Sequence, residues 1–278
     1  MSFDHAAVPQ YLRSQGRLDL SFKRRDGATA IGRAYQAGCI RMRLPRREHA
    51  DEAPCAVLIN TAGGVAEGDR IEQSIQWDAG TCATVTTQAA EKVYRALAHG
   101  SEIETRIEVG RGAEAEWLPQ ETILFDGARL RREARIILDE DVSFLGVEAI
   151  VLGRAAMGET MRSGCLRDRL RIWRAGELVY ADTLALDADV EALMARAALG
   201  GGAGAMAVLV HASARAASLI DPVREALGSA HGRAAASAWN GLLAVRLLAP
   251  DGETLRRDVA TALAVLRGQR SLPRVWRC

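Results

Sequence analysis

Residues 103–109 of this chain read Ile-Glu-Thr-Arg-Ile-Glu-Val. On an extended backbone Ile103, Ile107 and Val109 share one face, and Glu104, Arg106 and Glu108 share the other. Successive Cβ atoms of a strand point to opposite sides, so this period of two predicts a strand with one face in a core and one in water. Residues 166–173 repeat the pattern: Leu166, Leu170 and Ile172 oppose Arg167, Arg169 and Arg171. Residues 71–77, 81–87, 113–118 and 177–186 read the same way. Turn signals separate them, at Asp26-Gly27, Ala79-Gly80, His99-Gly100, Gly110-Arg111-Gly112 and Asp126-Gly127. Many short strands at such spacing point to a sandwich, a barrel or a solenoid. There is no internal repeat of fixed length, and no Pro-, Gly- or Ser-rich linker divides residues 1–278, so a single domain is expected.

The last third changes character. Residues 190–198 have helical spacing and stop at the run Gly200-Gly201-Gly202. Asp221-Pro222 reads as an N-cap followed by proline at the first helical position, opening a short helix to Leu227. Residues 253–266 place Leu255, Val259, Ala262, Leu263 and Leu266 on one face, an amphipathic helix. Residues 206–210 and 242–248 read as strands between these helices. The expected class is mainly β with a few late helices.

The composition excludes several roles. Basic residues number 36 and acidic residues 35, which gives no footprint for nucleic acid or an anionic membrane. Only Lys23 and Lys92 are lysines, leaving 34 arginines. Cys39, Cys55, Cys82, Cys165 and Cys278 are odd in number and widely spaced. That argues against a disulfide framework and suits a reducing compartment. The first residues lack the apolar core of a signal peptide. No run reaches the roughly 18 apolar residues of a membrane span; residues 144–157 come nearest, broken by Glu148 and Arg154. A cytoplasmic protein is expected.

Signatures of turnover are missing. The chain has no P-loop, no G-x-G-x-x-G after a strand, no H-E-x-x-H, no C-x-x-C and no G-x-S-x-G. His5, His49, His99, His211 and His231 stand apart, so no zinc site is prefigured. What stands out instead is carboxylates on apolar faces. Alternation puts Asp182 with Leu178, Tyr180, Leu184 and Leu186. Around Glu148 both faces are apolar, so it is buried whichever way it points. A buried, unpaired carboxylate costs several kcal/mol or takes up a proton. Each therefore needs an arginine partner, a water-filled cavity or a cation, and the last would suit a hard or borderline divalent ion in transit. Residues 60–70, NTAGGVAEGDR, form a glycine-rich turn in which Asp69 could act as an Asx cap. Residues 88–95, QAAEKVYR, end a strand in polar groups. Two rival readings stay open: an acid–base cluster of Asp69, Lys92 and Tyr94 in a hydrolase or lyase, and a plain β-sandwich binding module.

Five blocks also resemble the UreD/UreH family of urease accessory proteins. Residues 60–70 resemble its N-T-A-G-G-x-x-x-G-D segment, with Gly63, Gly64 and Gly68 as the turn glycines. Residues 86–95, TTQAAEKVYR, are similar to T-T-Q-A-A-x-K-x-Y-R. Residues 116–130, EWLPQETILFDGARL, match its most distinctive stretch. Residues 152–159, LGRAAMGE, resemble L-G-R-x-x-x-G-E, and residues 272–276 resemble its L-P-R-x-W ending. Glu67 departs from the pattern, standing where many members carry a small residue. The resemblance implies a β-rich fold with strands wound in a helical, solenoid-like arrangement and about two main helices. It implies a non-enzymatic chaperone in metallocentre assembly, acting with a helical accessory protein (UreF type) and a nickel-carrying GTPase (UreG type) on the urease apoprotein. It implies nickel in transit rather than a tightly bound cofactor. It places the passage at Asp69, Glu91, Lys92, Glu148 and Asp182, with Asp69, Glu148 and Asp182 as transient metal contacts.

Overall fold

The computed structural model describes residues 13–47, 52–268 and 270–277; His5, His49 and Cys278 lie outside them. The chain runs β1 (Gln15–Arg25), β2 (Ala28–Gly38), β3 (Ile40–Arg43), β4 (Cys55–Asn60), β5 (Arg70–Trp77), β6 (Cys82–Thr87), β7 (Glu91–Val93), β8 (Ser101–Val109), β9 (Glu114–Leu118), β10 (Thr122–Leu124), β11 (Arg129–Leu138), β12 (Ser143–Leu152), β13 (Ser163–Arg174) and β14 (Glu177–Asp189). It continues α1 (Val190–Ala195), β15 (Ala205–Ala212), α2 (Ile220–Leu227), β16 (Arg233–Trp239), β17 (Leu242–Ala249) and α3 (Gly252–Leu266).

From β4 to β13 the chain winds as a solenoid, passing repeatedly between two facing sheets. One sheet has the order β14-β13-β11-β8-β5-β1-β2, the other β16-β17-β15-β12-β9-β6-β4-β3, with β7 and β10 as short strands beside β12. The winding makes β1, β5, β8, β11 and β13 parallel neighbours, and likewise β4, β6, β9 and β12. Ile71 lies level with Ile103, and Ile103 with Arg132, which is level with Asp168. Those steps differ in length, which is why no fixed repeat shows in the sequence. The first hairpin turns on Asp26 and Gly27, both at positive φ (50° and 77°), the conformation of the tight turns that match strand twist.

Three layers result. Leu18, Phe22, Ile75, Trp77, Ile107 and Ile136 meet Val85, Trp117, Phe144 and Ile150 between the sheets. On the far side of the second sheet, Leu145, Val147 and Leu209 pack against Val223, Leu255, Val259 and Leu263 of α2 and α3. The first sheet keeps its outer face in water and so retains clean alternation. The second is covered on both faces, hence the continuous apolar run of β12. Each aliphatic side chain withdrawn from water contributes about 1.5–3 kcal/mol.

Helix α3 starts where the pattern placed it. Asp251 accepts from Thr254 N (2.8 Å), and the five expected apolar residues are buried. Two boundaries differ. Helix α1 stops at Ala195, because Arg196 is extended at ψ 127°. Helix α2 begins one residue before Asp221, because the 3-10 turn Ala216–Leu219 leads straight into it. Asp221 therefore lies in the first turn and caps nothing. The tail folds back onto the helical layer: Trp276 Nε1 donates to Leu118 O (3.0 Å), and Glu116 accepts from Arg267 (2.9 and 3.0 Å) and Arg270 (3.0 Å).

Candidate functional site

The inner face of the first sheet carries polar residues among its aliphatic ones. Thr105 Oγ1 donates to Gln73 Oε1 across β8 and β5 (3.2 Å). Further along, Arg132 projects inward from β11 because Leu130, Ala134 and Ile136 do, and Asp168 projects from β13 with Leu166 and Leu170. Arg132 is only 7% exposed. Its guanidinium grips Asp168 through two bonds (2.9 and 2.6 Å) and donates to Thr122 Oγ1 (3.0 Å). It also meets Glu148 Oε2 at 2.9 Å, while Glu148 Oε1 accepts from Trp117 Nε1 (3.1 Å). Burial works against the Arg132 charge, but Asp168 and Glu148 outweigh it and hold its pKa above the ordinary value. Glu148 moves the other way from most paired carboxylates. Burial pushes its pKa up, Arg132 opposes this and nearby Asp168 adds to it.

Glu148 and Asp168 open into a cavity of 390 Å³ between β12, β15 and β17 on one side and β13 and β14 on the other, walled by Leu193 and Met194 of α1. Asp182 stands in the same cavity. It pairs with Arg246 (2.8 Å) and accepts from Tyr180 Oη (3.2 Å) and its neighbour Thr183 N (2.9 Å). The Arg246 side chain is 61% exposed, so this ion pair sits at the mouth. Leu178, expected on the Asp182 face, points outward. A bulge brings it opposite Trp173 while Tyr180 stays opposite Ile172, which reverses its side.

The glycine-rich turn lies beyond β7. Gly64 could not carry a side chain, because a Cβ would stand 2.5 Å from the Tyr94 ring and 2.8 Å from Lys92 O. Asp69 is buried and accepts from Ser14 N (2.7 Å) and Ala66 N (2.8 Å), so it caps the turn. Glu91 accepts from Asn60 Nδ2 (3.1 Å). Its pKa is pushed up to about 7, chiefly by burial; Asn60 and the Lys92 amide oppose this, and the charge of Asp69 adds to it. Lys92, one residue on, points to solvent, and Tyr94 Oη donates to Gly63 O (3.0 Å). Asp69, Lys92 and Tyr94 therefore do not converge on one pocket.

Glu91 lies level with Thr122 across β7 and β10, and Thr122 is held by Arg132. Glu148, Asp168 and Asp182 share one cavity, while Asp69 and Glu91 stay at the glycine-rich turn and do not line it, and Lys92 points to solvent. Arg132 and Asp168 were not singled out by sequence. The alternation of their own strands carried the signal, since each is the polar residue on an apolar face. Both Glu148 and Asp182 have arginine partners. Among the described residues no group of three or more His, Cys, Asp or Glu is arranged to hold a metal ion. The described cysteines are free thiols. No helix among the described residues is long and apolar enough to cross a membrane.

Residues 14–277 match the sequence profile of the UreD urease accessory proteins. The chain is 48% identical over 271 residues to urease accessory protein UreD of Rhizobium etli, covering 98% of this chain and 97% of that protein. Its counterpart in Rhizobium leguminosarum bv. viciae is 46% identical over 271 residues, covering 98% of each. Urease accessory protein UreD 2 of Methylorubrum populi is 48% identical over 275 residues, covering 97% and 92%. With a match spanning nearly its whole length, the chain belongs to the UreD urease accessory protein family.

Proposed function

We propose that this chain is a cytoplasmic, non-enzymatic scaffold of urease maturation that passes nickel through its inter-sheet layer towards the urease apoprotein. It acts in a complex with a helical accessory protein of the UreF type and a GTPase of the UreG type, and the GTPase supplies the nucleotide chemistry. The observation that carries the reading is three carboxylates, Glu148, Asp168 and Asp182, lining one 390 Å³ cavity, with Glu91 level with Thr122, which Arg132 holds. Oxygen ligands hold a borderline divalent cation loosely, and a transit site must release its ion. Arg132 serves that need by neutralising one of the two carboxylates it touches, so the cavity attracts a cation without trapping it. Nickel is cargo here, with no resident cofactor. The test is co-expression of urease subunits with the helical protein and the GTPase, with and without this chain, followed by nickel analysis of the purified urease. Nickel should be low without the chain and restored with it. Full loading in its absence overturns the reading.

A further inference from the structure

The cavity lies behind the inner face of the first sheet, and the outer face of that sheet distributes its charges unevenly. Alternation puts Arg167, Arg169 and Arg171 of β13 on the outer face, two residues apart and so about 6–7 Å from one to the next. The parallel register with β11 sets Arg131 level with Arg167, Glu133 with Arg169 and Arg135 with Arg171. Arg106 of β8 is level with Arg135, so three arginines stand in a row across β8, β11 and β13. On the other side of β13 the level residues of edge strand β14 are Ala185, Thr183 and Ala181, all small and uncharged.

Like charges directly across a sheet repel, and the acids of this face stand elsewhere. Glu102 and Glu104 of β8 share Arg70 (3.8 and 3.5 Å), and Glu102 also meets Arg131 at 3.6 Å. Glu108 accepts from Arg106 (2.7 Å), and Asp187 lies beyond Arg167, level with Cys165. On β11 and β13 themselves, five arginines from Arg131 to Arg171 face one carboxylate, Glu133, which accepts from Arg171 (3.0 Å). Arg135 lies 4.6 Å over the Trp173 ring. Among the described residues Arg135, Arg167 and Arg169 have no ion pair. At one end of the strip Leu178, 52% exposed, is level with Trp173. Arginine and tryptophan are the side chains that dominate binding hot spots. The small residues of β14 leave a low floor beside the arginines, along which another chain can lie and reach them.

We propose that this strip docks an acidic segment of a partner protein, with carboxylates about 6–7 Å apart that meet Arg167, Arg169 and Arg171, and an apolar residue that meets Trp173 and Leu178. Charge complementarity names the occupant: such a segment gives Arg167 and Arg169 the carboxylates they lack and relieves the rows of like charge. The proposal rests on the maturation reading only for the proteins used to probe it.

The full chain would be titrated at low salt with purified urease apoprotein, the helical accessory protein and the GTPase, each alone. The variants are Arg167→Glu, Arg169→Glu and Leu178→Asp, with Lys23→Glu on the outer face of β1 as a charge-reversal control. One of the three proteins should bind, and each strip variant should weaken that binding by about tenfold or more. The losses from Arg167→Glu and Arg169→Glu should shrink in high salt. No strip variant should lower the melting temperature, and Arg167→Glu should hold or raise it, because Arg131 gains a partner. Lys23→Glu should bind as the unsubstituted chain does. Binding that survives all three strip variants overturns the docking site while leaving the maturation reading intact. Failure of the unsubstituted chain to bind any of the three proteins overturns both. Displacement of the bound protein by an equal concentration of single-stranded oligonucleotide assigns the strip to nucleic acid and overturns the acidic segment. Self-association that the same variants abolish assigns it to a second copy and overturns the proposed partner.

Discussion

Arg132 and Arg246 hold carboxylates in the same cavity, yet losing those carboxylates has different consequences. Asp168→Ala would take two charge-assisted hydrogen bonds from the buried Arg132 and leave Glu148 to balance it, at a cost of about 1.5–3 kcal/mol. Asp182→Ala would leave Arg246 in water, and exposed pairs contribute about 0–1 kcal/mol. Thermal melting should therefore show the larger fall for Asp168→Ala and a shift of a few degrees at most for Asp182→Ala. If Asp182 lies on the passage, its alanine variant still assembles with its partners while co-expressed urease carries less nickel; full loading would remove Asp182 from the route. Glu91 adds a dependence on pH. Its carboxyl moves from an ordinary 4.5 to about 7 in the folded chain, so the fold favours the protonated form. The stability this gives is complete below about 4.5 and is lost as pH rises through about 7. Melting followed from pH 5 to pH 8 should decline more steeply for the unsubstituted chain than for Glu91→Gln.

Helix α3 and the tail behind it act as one element, locked by Glu116. Arg267 is buried beside it, and Arg256 stacks 5.1 Å from the Trp276 ring. Glu116→Ala leaves Arg267 unpaired in the helical layer. The expected loss is about 3–5 kcal/mol, with trypsin cutting at Arg270 and Arg274 well before the sheets are attacked. A tail as resistant as in the unsubstituted chain would show that Trp276 and the bonds from Gln120 and Arg256 to Val275 O hold it without Glu116. Element boundaries were legible where the signal is local. The amphipathic face of α3 and its Asp251 cap depend only on nearby residues. The start of α2 did not follow the Asp221-Pro222 signal, because a preceding 3-10 turn had already brought the backbone into the helical region. Leu178 was misplaced because a bulge in a hairpin cannot be seen in alternation alone.

At the scale of the whole molecule, the missing phosphate-binding loop and the scattered histidines lead to two expectations. The purified chain should release no phosphate from GTP or ATP above a buffer blank. Its affinity for nickel should be micromolar or weaker, about −8 kcal/mol at most, since carboxylates without a His or Cys cluster hold the ion loosely. Calorimetry on tag-free protein that found a stoichiometric nanomolar site would contradict the second.

The period of two is a property of the backbone itself, so it assigned the faces of β8, β13 and most of β14 before any tertiary contact was known. The same rule put Asp182 inside, and the unbroken apolar run around Glu148 put that carboxylate inside whichever way it pointed. The family blocks were equally legible, because they are strings of residues. What the sequence by itself left open was partnership. Which of 34 arginines meets Glu148 depends on the parallel register of β11 with β13 and on the approach of β12 from the opposite sheet. The cavity needs side chains from α1 and strands of both sheets. A strand's pattern records which way each side chain points; the winding of the solenoid decides what it finds there, because ion pairs form through space between segments far apart in the chain.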